Sequence, residues 1–200
     1  MYKVLSCLIL IGIIVFSGCG PSKQVTRIDS DTVVDLSGRW NDTDSRMVAE
    51  NMIADCLSHI WINNHNKSSG ERPVVIVGGI RNKSTEHIPT QTFIGDIERA
   101  FVNSGKVEVV ASSSERSELR EERADQSENA AIETIKQMGR EEGADYMLTG
   151  EINTIEDREG GKQIVFYQTD LTLTNIESNI KVWIGEKEIK KFIGKGKFKL

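Results

Sequence analysis

The chain has 200 residues, of which 38% are hydrophobic and 28% charged, and its formal net charge is −5. These proportions are typical of a globular protein and exclude a wholly disordered or fibrous chain. The acidic balance argues against nucleic acid as a partner, and three cysteines with three prolines exclude a disulfide scaffold and a Pro-rich chain. The one long apolar run, residues 4–16, is shorter than the roughly 20 residues that span a membrane, which excludes a polytopic membrane protein.

The first 18 residues have the order of a secretory signal peptide: a lysine, the apolar run, and then the small residues Ser17 and Gly18. Cys19 follows directly. The sequence Phe-Ser-Gly-Cys over 16–19 resembles the lipobox of bacterial lipoproteins, in which the cysteine thiol receives the lipid. We therefore predict a signal peptide over 1–18 and membrane attachment through a lipid on Cys19. An ordinary secretory signal with a coincidental cysteine is the alternative.

The predicted organisation has three parts. Residues 1–18 are the signal peptide, residues 19–32 are the lipidated cysteine with a short polar tether, and residues 33–200 form a single α/β domain. The residue after Cys19 is Gly20, not the aspartate that favours inner-membrane retention in enteric bacteria. We therefore expect an outer-membrane anchor with the domain facing the periplasm.

Hydrophobic periodicity predicts the elements of this domain in chain order. Up to residue 110 we expect a strand over 33–36, a helix from Asp42 or Thr43 to Ile62, a loop over 63–72, a strand over 74–77 ending at Gly78-Gly79, a helix from 90 or 92 to 104, and a strand over 107–110. Beyond it we expect a polar segment over 112–128, a helical pattern with Ala131, Ile132, Ile135 and Met138, and antiparallel strands over 146–156, 164–174 and 180–184. The β-α-β order from 74 to 110 indicates a parallel pair. The predicted fold is a mixed sheet of about five strands flanked by helices, with a C-terminal antiparallel meander.

The apolar stripe of the first helix places Cys56 on its buried face, where a lone thiol is protected from oxidation. Asp55, Cys56 and His59 fall within one helical turn, and His65 is near, which is the kind of set that can hold a metal ion. Because Cys56 points inward and no second pair of ligands occurs elsewhere, we predict no metal site.

Sequence motifs of catalysis and of nucleotide binding are absent. The segment 78–84, Gly-Gly-Ile-Arg-Asn-Lys-Ser, follows a strand as a phosphate loop does, but Asn82 stands where the glycine before the lysine is required. No Gly-x-Ser-x-Gly elbow, Ser-x-x-Lys or His-Glu-x-x-His occurs. We predict neither a cofactor nor catalytic residues. Asp170 is a carboxylate within a predicted strand, and we expect it on the solvent face of an edge strand.

Two charged segments are candidates for contact with a partner. Over 115–128, like charges recur four residues apart, which disfavours a helix. We expect this segment to be mobile or held by something else, and we predict that Arg116, Arg120 and Arg123 contribute to a partner contact. The last 20 residues carry seven lysines and two glutamates. They suit an acidic protein patch or anionic lipid headgroups, or form an edge strand protected by its lysines.

Several stretches together carry a family resemblance. They are residues 35–44 before the first helix, 73–77 with 82–86, 143–146, and, most specifically, 169–177 followed by 181–187. Through them, residues 33–192 resemble the LpoB family, the lipoprotein activators of penicillin-binding proteins. The resemblance implies a fold like the N-terminal domain of TolB. It also implies that the protein binds a class A bifunctional penicillin-binding protein and stimulates peptidoglycan synthesis without catalytic residues of its own.

Two alternatives stay open. One is a lipoprotein of the related CsgG-like class, a component of a secretion or envelope assembly. Such pores need membrane-spanning hairpins, and the hairpin over 146–174 lacks the lipid-facing alternation that they require. The other is an envelope enzyme, which a pocket with converging carboxylates would indicate.

Overall fold

The structure, a computed structural model, describes residues 24–30, 32–129 and 141–194. Contacts within the chain separate residues 1–32 from residues 33–200. The predicted signal peptide, Cys19 and the helical pattern over 131–138 lie outside the described residues. In the described part, no helix is both long enough and apolar enough to cross a membrane.

The described part of residues 33–200 contains helices and strands in alternation, followed by three strands. In chain order they are α1 (Asp42–Ser58), α2 (Ile60–Ser69), β1 (Val74–Asn82), α3 (Thr90–Ser104), β2 (Glu108–Val109), α4 (Ser113–Asn129), β3 (Tyr146–Glu159), β4 (Lys162–Asn175) and β5 (Lys181–Ile193).

The five strands form one mixed sheet in the order β2-β1-β3-β4-β5. Strand β1 is parallel to both β2 and β3, whereas β3, β4 and β5 run antiparallel as a meander. The predicted fold class is therefore confirmed. Strand β5 is an edge strand, as the lysine-rich segment suggested. Strand β4, which carries Asp170, is an internal strand between β3 and β5.

The hydrophobic core lies on one face of the sheet. Alternate residues of β4, from Val165 to Leu173, are buried there, and all of them except Thr169 share one hydrophobic cluster with Phe93 of α3 and with Cys56 and Ile53 of α1. Cys56 is fully buried, which confirms its predicted place in the core. The sheet face opposite to this core is called the outer face below.

The helical region after α1 is longer than predicted. The backbone is extended at His59 and then helical again to Ser69, so the expected end at Ile62 and the loop over 63–72 are wrong. The buried Trp61 donates a hydrogen bond from Nε1 to the carbonyl of Cys56 at 2.8 Å, which fixes the start of α2. The polar residues of α2 after Ile62 mostly face solvent. The apolar stripe used for the prediction therefore ends before the helix does.

Two strand predictions also need correction. Residues 33–36 are not a strand: the described structure shows no ladder there, and Leu36 is 93% exposed. Strand β1 does not end at Gly78-Gly79 but continues to Asn82 after a register shift between Val77 and Ile80. The two glycines mark an irregularity within the strand, which is a common position for glycine in a sheet.

Candidate partner-binding surface

Three of the residues considered for a metal site make other contacts in the folded chain. Asp55 accepts a hydrogen bond from Trp183 Nε1 at 2.8 Å, and His65 Nδ1 lies 3.1 Å from the Tyr146 hydroxyl. Cys56 faces the core. Within residues 24–30, 32–129 and 141–194, no group of three or more His, Cys, Asp or Glu side chains is placed to hold a metal ion.

A groove of about 490 Å³ lies between α1 and α3 and contains both charged and apolar side chains. Asp96, one of its carboxylates, accepts hydrogen bonds from Ser45 Oγ and from Arg99, each at 2.7 Å. Its oxygens are therefore engaged in joining the two helices and in an intrahelical ion pair.

The segment that carries the three predicted contact arginines is a helix, α4. Ser112 and Glu115 form a capping box at its start, in which the Ser112 amide donates to the Glu115 carboxylate at 2.7 Å. Arg120 binds Glu141 in a bidentate pair at 2.8 and 2.9 Å, and Arg123 lies 3.1 Å from the same carboxylate.

Glu141 is distant in sequence from both arginines. Its contacts with Arg120 and Arg123 therefore help to hold α4 in place despite the like charges along this helix. They raise the pKa of Arg120 and lower that of Glu141, in both cases chiefly through the hydrogen bond between them. The charges of Arg120 and Arg123 are thus already paired within the chain. The contact of Arg116, Arg120 and Arg123 with a partner stays a prediction.

The outer face of β3, β4 and β5 is organised in transverse rows, because residues directly opposite on neighbouring strands share a face. Three consecutive rows differ in chemistry. They are the carboxylate row Glu151–Asp170–Glu186, the amide row Asn153–Gln168–Glu188, and the aromatic row Ile155–Phe166–Lys190. Beyond the aromatic row, Asp157, Ile164 and Phe192 continue the series.

The hairpin end of the outer face is apolar. Ile155 is 68% exposed and Phe192 is 66% exposed, and Ile164 and Phe166 lie between them across the strands. Together these four residues are called the apolar patch. A shallow cavity of about 240 Å³ lies against three of them and is bordered by Asp157 and Lys190.

The acidic side chains of the carboxylate row differ in the groups that surround them. Glu151 lies 2.7 Å from Lys83 Nζ and 3.2 Å from Arg81, and these contacts lower its pKa, with the hydrogen bond from Lys83 as the largest cause. Asp170 accepts hydrogen bonds from the Gln168 amide at 3.0 and 3.1 Å. Glu186 instead has a raised pKa, first because of its hydrogen bond with Glu188 and also because of the charge of Asp170.

Asp170 thus lies on the outer face, as expected, but on an internal strand of the sheet and not on an edge strand. Alternation along one strand predicts which residues share a face. It does not predict which residues of other strands lie beside them, so the carboxylate row could not be read from the sequence.

The sequence profile of the family described as the peptidoglycan-synthase activator LpoB matches residues 44–189, more than half of the chain. The chain belongs to the LpoB family. The family resemblance predicted from the sequence is therefore confirmed. A comparison with curated proteins finds no match for this LpoB family member.

Solved structures similar to this LpoB family member include two LpoB C-terminal domains. The domain from Salmonella enterica is 14% identical, with 74% of this chain and 99% of that chain covered and a TM-score of 0.40. The domain from Escherichia coli is 14% identical, with 72% and 98% covered and a TM-score of 0.39. The lipoprotein GNA1162 from Neisseria meningitidis is 13% identical, with 60% and 83% covered and a TM-score of 0.38.

Proposed function

We propose that this protein is an envelope lipoprotein that binds a class A bifunctional penicillin-binding protein and stimulates its peptidoglycan polymerisation and crosslinking. The observation that carries the proposal is the match of residues 44–189 to a family of peptidoglycan-synthase activators. On this proposal the protein acts by binding and has no catalytic residues of its own.

The proposal is tested with the purified full-length protein in detergent and the class A synthase of the same cell. We expect direct binding, a higher glycosyltransferase or transpeptidase rate of the synthase, and no turnover by the lipoprotein alone. Absence of binding and of stimulation would overturn the proposal. A triple alanine variant of Arg116, Arg120 and Arg123 tests the predicted arginine contact, and unchanged affinity would exclude these residues while the activator function stands.

We further propose that a lipid on Cys19 anchors the protein in a membrane, because Ser17 and Gly18 precede that cysteine, and that this is the outer membrane, because Gly20 and not an aspartate follows it. Cys19→Ala is expected to leave an unprocessed precursor or a protein that no longer fractionates with membranes. Cys56→Ala is the matched control, since it also removes one thiol and should be processed normally. A Cys19→Ala protein that is processed and extracted like the wild type would contradict lipid anchoring.

A further inference from the structure

The outer face combines two properties that a surface facing only water does not need. Four apolar side chains, Ile155, Ile164, Phe166 and Phe192, meet at its hairpin end, and the two whose exposure is greatest present about two thirds of their surface. Contiguous exposed apolar groups of this kind mark interaction sites more often than isolated ones do. The helices that build the core pack on the opposite face and leave these residues uncovered.

The second property is an excess of negative charge in the two rows next to the aromatic row, in which Lys190 is the one cation opposite Phe166. Asp170 and Glu186 lie opposite each other on β4 and β5, and Glu188 is two residues further along the same strand and face. Like charges directly opposite each other destabilise a sheet. Within the described residues, no ion pair with a lysine or arginine neutralises Glu186 or Glu188, although Glu151 in the same row has two such partners.

These two properties select the chemistry of the partner. Carboxylates held close together and left without cations favour a partner that brings positive charge. The exposed aromatic and aliphatic side chains of the apolar patch provide the apolar centre that protein interfaces require. Anionic lipid headgroups and nucleic acid phosphates would be repelled by the same carboxylates.

We infer that the outer face of β3, β4 and β5 is a docking surface for a basic protein surface that inserts apolar side chains between Ile155, Phe166 and Phe192. This inference rests on the proposed function, on which the basic surface belongs to the synthase. The carboxylates Glu186 and Glu188 orient the partner and accelerate its association, and the apolar patch provides most of the affinity.

The test compares two face variants with two matched controls in synthase binding, measured by surface plasmon resonance with the full-length protein. The face variants are Ile155→Ser/Phe192→Ser and Glu186→Lys/Glu188→Lys. The controls are Val102→Ser, which removes an exposed apolar side chain from α3, and Glu71→Lys/Glu177→Lys, which reverses the charge of two exposed glutamates outside the outer face and α4. We expect the dissociation constant to rise at least about tenfold in each face variant and less than about twofold in the controls.

Ionic strength provides an independent measurement. Association of the wild type should slow as salt is added, because salt screens the attraction between carboxylates and a basic partner. In Glu186→Gln/Glu188→Gln this dependence should be weaker. These isosteric substitutions also remove a repulsion, so they keep the test decisive if a face variant fails to fold.

Each outcome has a separate meaning. Face variants that bind like the wild type overturn the inference and leave the proposed function standing, whereas a wild type that does not bind the synthase overturns the proposed function itself. Sedimentation at several concentrations tests a second copy of the chain as the occupant. Self-association that is lost in the face variants, with synthase binding unchanged, would assign the face to that copy and overturn the inference.

Discussion

Cys56 shows how burial controls the chemistry of a single residue. Its side chain has no exposed surface, and burial raises the pKa of the thiol to about 12. The thiolate is the reactive form of cysteine, so almost none of it is present at neutral pH. Burial thereby makes this unpaired thiol inert.

Cys56→Ala is expected to lower the free energy of unfolding by about 1–2 kcal/mol, because loss of the sulfur leaves a small cavity. Synthase binding should not change. Urea unfolding measures the first effect. Labelling of the peptide that contains Cys56 by a bulky maleimide, followed by mass spectrometry, should be slow in the native protein and fast in denaturant. Rapid labelling of the native protein would contradict burial.

Glu186 makes stability depend on pH in the opposite direction to an ordinary ion-paired carboxylate. Its pKa is raised, first by the hydrogen bond with Glu188 and then by burial and by the charges of Glu188 and Asp170. The folded chain therefore binds the proton more tightly than the unfolded chain does. The electrostatic cost is present at neutral pH and is relieved as the pH falls through the raised pKa.

Glu186→Gln removes this titration. We expect its melting temperature to exceed that of the wild type at neutral pH, and the difference to shrink as the pH falls toward about 4. Differential scanning calorimetry at several pH values measures it, with Glu118→Gln on the exposed surface of α4 as the control. A difference that is constant with pH would show that repulsion on the outer face is not its cause.

At the scale of elements, a lysine of the edge strand joins both the segment before α1 and the first turn of α1 to the sheet. The ammonium of Lys191 lies 2.7 Å from Asp35 and 2.5 Å from Asp44, and it donates to the Arg39 carbonyl at 3.1 Å. The Lys191 side chain is only 10% exposed. Burial opposes its charge, but the hydrogen bonds to both carboxylates leave its pKa raised.

Lys191→Met should lower the free energy of unfolding by about 3 kcal/mol, because Asp44 would keep a buried charge without its cation. Lys190→Met is the matched control, since Lys190 is the exposed neighbour and surface substitutions cost less than about 0.5 kcal/mol. Chemical denaturation checks both variants. Equal losses would show that the Lys191 ion pairs contribute nothing beyond a surface lysine.

At the scale of the whole molecule, the predicted tether limits where the domain can act. Residues 20–32 number thirteen; they span at most about 45 Å when fully extended and average about 20 Å as a flexible coil. The periplasm is generally wider than either distance. On the proposed outer-membrane anchor, the synthase must therefore extend outward to meet the domain.

A flexible insertion of about 30 residues after Ser22 is then expected to preserve or improve activation in cells, because a longer coil reaches further. Cell-wall synthesis in a strain that depends on this activator measures the effect, and the purified protein with the same insertion provides the control. Loss of activity in cells with full activity in vitro would show that a fixed short distance from the membrane is itself required.

The sequence by itself determined the α/β class, the parallel pair, the meander, the buried Cys56 and the family. These rest on periodicity within one element, on the order of elements, or on contiguous motifs. Tertiary structure alone decided that Arg120 and Arg123 bind Glu141, that Lys191 joins Asp35 to Asp44, and that the carboxylates of β3, β4 and β5 form one row. Such contacts join residues far apart in the chain, and their partners are selected by strand order and register, which no local pattern encodes.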